Sequence, residues 1–221
     1  MMTLPGVVRT ARPQDEGVDL NTRITPESAN MLASHGLKFI IRYLSRGPES
    51  SEDLTAEEAL IILGAGLSLM PVLHPPRSGW IANADVGAQH GRYAAENAQA
   101  VGFPKGVNVW CDLEGIGDSS PSDVINYCES WYAAVSDAGY SPGLYVGANA
   151  KLGSQQLYEL SFKHYWKSAS DVPDVSVRGY QMTQSQQRKF NGLVVDFDHV
   201  STDREGGRPI WLAPAAPSQI P

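Results

Sequence analysis

Two acids, Asp112 and Glu114, close the segment VNVWCDLEG, residues 107–115, and no other pair in this chain is better placed for proton chemistry. Val107, Val109, Cys111 and Leu113 alternate with Asn108, Trp110, Asp112 and Glu114, the period-two pattern of a strand with one apolar face. On the polar face the two carboxylates lie roughly 6–7 Å apart at the backbone. Like charges that close in a water-poor site do not both ionise freely, so one pKa rises. A carboxylic acid kept neutral near pH 7 beside an anion is a general acid beside a charge stabiliser.

Three more strand-like segments deliver polar groups. GVDLN, residues 17–21, sets Asp19 between apolar Val18 and Leu20. LVVDFDHV, residues 193–200, puts Asp196 and Asp198 on one face and Val195 and Phe197 on the other. FIIRYL, residues 39–44, carries Arg42 late in an apolar run, where it is expected to pair with the acids and limit their self-repulsion. Asp19, Asp112, Glu114 and Asp196 are expected to face one cleft.

The elements that must position them read as strands alternating with helices. Thr25 is an expected N-cap, Pro26 a first helical residue and Gly36 a stop; Thr55 with Glu58 suggests a capping box. Strands are expected at 39–44, 67–74, 107–115, 141–148, 164–169, 177–182 and 193–200, with helices near 55–64, 85–101, 122–135 and 154–160. The acids recur at strand ends. Eight strands with this alternation predict an α/β fold, an irregular TIM-type (β/α) barrel with helices mainly after the first five strands. An open doubly wound sheet lacks the glycine-rich phosphate fingerprint after its first strand. Residues 1–14 read as an N-terminal extension, 15–212 as the barrel and 213–221 as a flexible tail.

Composition sets bounds. The 221 residues, 42% hydrophobic and 19% charged, are those of an ordinary globular chain with a real core. Net charge is −7 and no basic run occurs, which argues against nucleic acid as a partner. No run is long enough to span a bilayer, and the N-terminus does not read as a secretory signal. Two cysteines, Cys111 and Cys128, are no disulfide scaffold and are expected as buried thiols.

An aspartate on the first strand, Asp112-x-Glu114 on a middle strand and Val195-Asp196-x-Asp198 on the last resemble glycoside hydrolase family 25. That family comprises muramidases built on an irregular βα barrel. The sequence is similar above all to a related glycoside-hydrolase-like barrel family of uncertain function, over roughly residues 15–212. Two features depart from the muramidase pattern. Asp198 stands where those enzymes often have asparagine, and Gly179-Tyr180-Gln181 replaces a Trp-Gln-Tyr strand.

The resemblance implies a lysozyme-type N-acetylmuramidase acting on peptidoglycan or a related glycan, as a monomer and without metal or cofactor. Action is expected at the cell wall or outside the cytoplasm, with delivery or release by a route other than a signal peptide, or with cytoplasmic storage. Glu114 would be the general acid. Asp112 would orient the substrate's N-acetyl group or stabilise charge at the sugar carbon. Asp19 and Asp196 would hold hydroxyls and supply negative potential. Asp198, Tyr145, Tyr180, Arg42 and Trp80 are the expected substrate-binding residues, the aromatics by stacking on sugar rings. His74, beside two prolines, reads as a hydrogen-bonded loop residue. Two other classes remain open: a metal-dependent phosphodiesterase using the acids as oxygen ligands, and a glycan-binding barrel without catalysis.

Overall fold

The computed structural model describes residues 3–45, 52–75 and 78–215. Seven strands run parallel in chain order: β2 (Glu16–Leu20), β3 (Phe39–Tyr43), β4 (Ser68–Leu73), β5 (Asn108–Leu113), β6 (Ser141–Val146), β7 (His164–Lys167) and β8 (Met182–Gln184). An eighth strand, β10 (Leu193–Val200), closes the ring between β8 and β2 and runs antiparallel to both. The result is a closed eight-stranded mixed barrel. Outside it, β1 (Val7–Thr10) and β11 (Ile210–Ala213) form an antiparallel ribbon that joins β4 through Leu212 and Leu69. Residues 7–10 of the expected extension are therefore structured. Of the expected flexible tail, residues 216–221 lie outside the described residues.

Helices follow five strands: α1 (Pro26–Ser34), α2 (Ala56–Gly64), α3 (Ala84–Val101), α4 (Pro121–Asp137) and α5 (Ser154–Glu159). Thr25 caps α1 in a capping box with Ser28, and Gly36 follows its end with φ +89°. Thr55 caps α2, but the Glu58 carboxylate turns inward instead of completing a box. The α4 cap is Ser120, two residues before the expected start, because Pro121 takes the first helical turn. α3 and α4 approach closely at Gly87 and Gly91. A Cβ on Gly87 would stand 2.2 Å from the Tyr127 carbonyl oxygen.

Strand alternation divides the core in two. Val18, Leu20, Ile40, Cys111, Leu113, Leu144 and Val146 face outward under the helices. Phe39, Ile41, Met70, Val72, Trp110, Tyr145, Trp166 and Met182 fill the barrel interior. Gly143 leaves room for the Trp110 ring, since a Cβ there would lie 2.4 Å from it. Cys111 and Cys128 are buried free thiols, both pushed up in pKa by burial.

The last third departs from expectation. Of the expected strand 177–182 only Met182 is in one: Val177 and Gly179 have φ of +61° and +76°, which turns the chain, and β8 begins at Met182. After β8, β9 (Arg188–Phe190) pairs with β10 across the two-residue turn Asn191-Gly192, with φ of +46° and +89°. Asn-Gly with both φ positive is the tight-hairpin turn whose twist matches paired strands. This turn reverses β10.

Candidate active site

The acids collect at the mouth formed by the C-terminal ends of the parallel strands. Asp19 lies one residue before the end of β2, and Asp112 and Glu114 lie at the end of β5. Asp196 reaches the same level from the opposite direction: in the β10–β2 register it stands directly across from Asp19. Asp198 pairs with Gly17, one step deeper.

Glu114 is partly open to solvent, its side chain 33% exposed. Its pKa is raised to about 7 by burial first, then by Asp112 and Asp196, against an opposing pull from His74. Gly147, at the end of β6, makes the space for it, because a Cβ there would stand 2.4 Å from the Glu114 Cβ. Asp112 is only 5% exposed and meets His74 Nδ1 at 2.5 Å through Oδ2. The same nitrogen lies 3.6 Å from Glu114 Oε1. Ligand atoms of His74, Asp112 and Glu114 all fall within 4.8 Å of one another. This spacing suits one cation, and one nitrogen with two carboxylates is a plausible transition-metal set. A cavity of about 270 Å³ opens beside them, lined by His74, Pro75, Ser78, Glu114, Gly115, Ala148 and Asn149.

Asp19 is buried and held from two sides. Gln184 Nε2 donates to Oδ2 at 2.8 Å, and the Tyr43 hydroxyl lies 3.3 Å from Oδ1. Burial lifts its pKa to about 7 despite the Gln184 bond, and Asp196 adds to the rise. Asp196, half-buried, accepts from Gln187 at 3.2 Å and is also raised by burial. Tyr145 sits among the acids. Its pKa is raised by burial and then by Asp112, Glu114, Asp19 and Asp198, and its hydroxyl donates to Gln184 Oε1 at 2.9 Å.

The structure thus brings Asp19, Asp112, Glu114, Asp196, Asp198 and Tyr145 together. It separates the other three expected binding residues from them. Arg42 is fully buried on the opposite face of β3, its Nε 2.6 Å from Glu58 and its guanidinium on the carbonyls of Leu20 and Glu52. The register pairs it with outward-facing Leu20, so it neutralises Glu58 rather than the mouth. Trp80 is 8% exposed and packs on Tyr127 with ring centroids 4.7 Å apart. Its Nε1 donates to the Glu114 carbonyl at 2.8 Å, so it anchors the Glu114 backbone instead of offering a face to a sugar. Tyr180 precedes β8, packs against the outer core and donates its hydroxyl to the Pro173 carbonyl. The two expected binding residues that do lie at the mouth also have different surroundings from those expected. Tyr145 is edge-on to Trp166 at 4.4 Å and floors the mouth, while Asp198, 1% exposed, lies beneath the rim.

His74, Tyr43, Gln184 and Trp166 complete the site and were not read as site residues from the sequence. A signal existed for two of them. His74 terminates an expected strand, as the acids do, and Tyr43 is in phase with inward-facing Ile41.

A closed mixed barrel with a carboxylate-lined mouth is the architecture of glycoside-hydrolase-like proteins. The chain belongs to the Rv2525c-like, glycoside hydrolase-like domain family, which matches residues 30–204. Among solved structures it is similar to the Tat-secreted protein Rv2525c of Mycobacterium tuberculosis, at 19% identity and a TM-score of 0.65, covering 85% of this chain and 95% of that one. The bacterial lysozyme from Streptomyces coelicolor is similar at 16% identity and a TM-score of 0.63, covering 86% and 94%. The muramidase from Trichobolus zukalii follows at 13% identity and a TM-score of 0.61, covering 85% and 93%. At these identities the likeness is one of fold. No curated protein sequence is significantly similar to this chain. Among the described residues no helix is long and apolar enough to cross a membrane.

Proposed function

We propose that this protein cleaves the glycan of bacterial peptidoglycan as a lysozyme-type N-acetylmuramidase. One observation carries the reading: Glu114, alone among the mouth acids, is both open to a cleft and raised to a pKa of about 7. A group so poised is protonated often enough at neutral pH to give its proton to a glycosidic oxygen. Asp112, fixed by His74, orients the acetamido group or faces the positive charge that develops at the sugar carbon. Asp19 and Asp196 add negative potential for an oxocarbenium-like transition state. The lysozyme and muramidase among the structural neighbours support this chemistry on this barrel. A Tat-secreted neighbour supports action outside the cytoplasm. We take the working unit to be the barrel of residues 15–212 acting as a monomer.

Mass spectrometry of purified peptidoglycan after incubation tests the reading. New reducing-end muramic acid is the expected product, and its absence with active, folded protein overturns it. A second reading, a metal-dependent phosphodiesterase, has one observation in its favour, the His74–Asp112–Glu114 spacing. Chelator separates the two. Muramidase activity is expected to persist in it, whereas activity lost in chelator and restored by a divalent cation supports the second.

A further inference from the structure

Below the rim, hydrogen-bond polarity locates a proton in the pair Asp19 and Asp198. A backbone amide only donates, and Ala169 N–H points at Gln184 Oε1 from 3.3 Å. That fixes the orientation of the Gln184 side chain, so its Nε2 is the donor that reaches Asp19 Oδ2 at 2.8 Å. The Tyr43 hydroxyl takes the other Asp19 oxygen at 3.3 Å. Asp19 therefore accepts on both oxygens. Across the barrel, Trp166 Nε1, which can only donate, lies 2.8 Å from Asp198 Oδ1. The remaining oxygen, Asp198 Oδ2, is buried and receives no donor among the described residues, and in the β10–β2 register Asp198 is the diagonal neighbour of Asp19 on the same inward face. A buried carboxylate oxygen without a donor, beside a second carboxylate, is strongly disfavoured. A proton on Oδ2 removes both penalties, because the O–H then donates to Asp19.

We propose that Asp198 is held as a neutral carboxylic acid that donates a hydrogen bond to an ionised Asp19, doing the work of an amide and serving as a positioning residue for the mouth. The function of Asp19 rests on the muramidase reading; the place of the proton does not. Around the pair stand Tyr43 from β3, Asp112 and Glu114 from β5, Tyr145 from β6, Trp166 from β7, Gln184 from β8 and Asp196 on β10 itself; His74, just after β4, reaches Asp112 and Glu114, and Arg188 and His199 line the outer side of β10 with Asp198. The groups that act on Asp198 directly are Asp19, Asp196 and Trp166, two acids and a neutral donor. Burial accordingly raises Asp198 well above the usual carboxylate range, and the donors on both Asp19 oxygens favour the charge there.

Infrared spectroscopy at pH 8 tests this, above the ionisation of Asp19 and Glu114. The wild type is expected to retain a protonated-carboxyl C=O band that Asp198→Asn lacks. Thermal unfolding from pH 5 to 8 gives a second readout. The folded chain holds a proton that the unfolded chain has released, so stability falls as pH rises. One such proton corresponds to roughly 3–5 °C of Tm per pH unit for a chain of this size. Asp198→Asn is expected to fold and to lose one proton's share of that slope. A wild type without the band, an Asp198→Asn variant that fails to fold, or identical slopes in the two proteins overturns the proposal. None of these measurements needs turnover, so they fail or succeed separately from the muramidase reading.

Discussion

The helix-backed part of the barrel, β2 to β6, and the helix-poor part, β7 to β10, are built by different means, and the mouth is assembled from both. In the first part β2 to β5 are each followed by a helix with a side-chain N-cap, and the outer layer is apolar apart from the buried Arg42–Glu58 pair. In the second, a polar knot replaces the helices. Arg178 pairs with Asp203 at 2.9 Å and with Glu205, Gln181 reaches Asp203 at 2.7 Å, and His164 meets Gln181 at 2.8 Å. Backbone amides of Glu205 and Gly207 complete the shell of Asp203. Burial of apolar area specifies the first part and tolerates adjustment. A buried polar network specifies the second and works only when every member is satisfied. Glu114 is rooted in the first, while Asp196, Asp198 and Gln184 come from the second.

The sharpest break is expected at Glu114. Glu114→Gln keeps shape and hydrogen bonding but cannot protonate a leaving oxygen, so glycan cleavage should fall by roughly 10²–10⁴-fold. The Tm should stay near that of the wild type, since nothing in the helix-backed packing changes. A variant with unimpaired turnover in a product assay removes Glu114 from the chemistry.

The knot should break in stability instead. Asp203→Ala leaves the buried Arg178 guanidinium with Glu205 alone, and removing one partner of a buried pair costs up to about 3–5 kcal/mol. Replacing both, as Arg178→Met with Asp203→Leu, should recover part of the loss if only the ion pair mattered. The knot also uses Asp203 to hold Gln181 and two backbone amides, so the double variant is expected to remain less stable than the wild type. Denaturant unfolding of the three proteins decides this.

A smaller effect concerns pH. As the proposed general acid Glu114 would act while protonated, and burial raises its pKa to about 7. Turnover should therefore decline as pH rises through 7, approaching tenfold per unit above it. A rate flat from pH 6 to 8.5 would contradict a general acid at this position.

The two parts also differed in how far the sequence could be read. Alternation in residues 107–115 separated Asp112 and Glu114 from Cys111, and Thr25, Thr55 and the boundaries of β10 were legible because caps and period-two runs are local signals. Arg42 was assigned to the mouth because alternation does not say which phase faces inward. That depends on the β2–β3 register, which sets Leu20 beside Arg42 and Asp19 beside Ile41. Trp80 was read from its glycine- and proline-rich surroundings, and its burial depends on Tyr127, 47 residues away in sequence. The knot joins residues 164 to 207 by contacts that no periodicity records. One missed signal was present. Asn191-Gly192 between two strand-like runs is a hairpin mark, and it means that Asp196 sits in the first half of a descending strand rather than at the end of a rising one.

Two glycines turn this difference into a controlled comparison. Gly36 ends α1 in the helix-backed part and Gly192 turns the hairpin in the other; both have φ +89°, and a Cβ on either would meet nothing within 4 Å. Alanine at either site therefore adds only the cost of a left-handed backbone, about 1–2 kcal/mol. Stability should fall by similar amounts in Gly36→Ala and Gly192→Ala. Activity should not follow suit. Relaxing Gly36 disturbs a helix end, whereas relaxing Gly192 changes the turn that sets β10 against β9 and thereby the height of Asp196 opposite Asp19. Gly192→Ala should lower turnover several-fold beyond any loss in Gly36→Ala measured at a temperature where both are folded. Equal turnover in the two variants would mean that the mouth takes its geometry from β2 alone, with the hairpin merely closing the barrel.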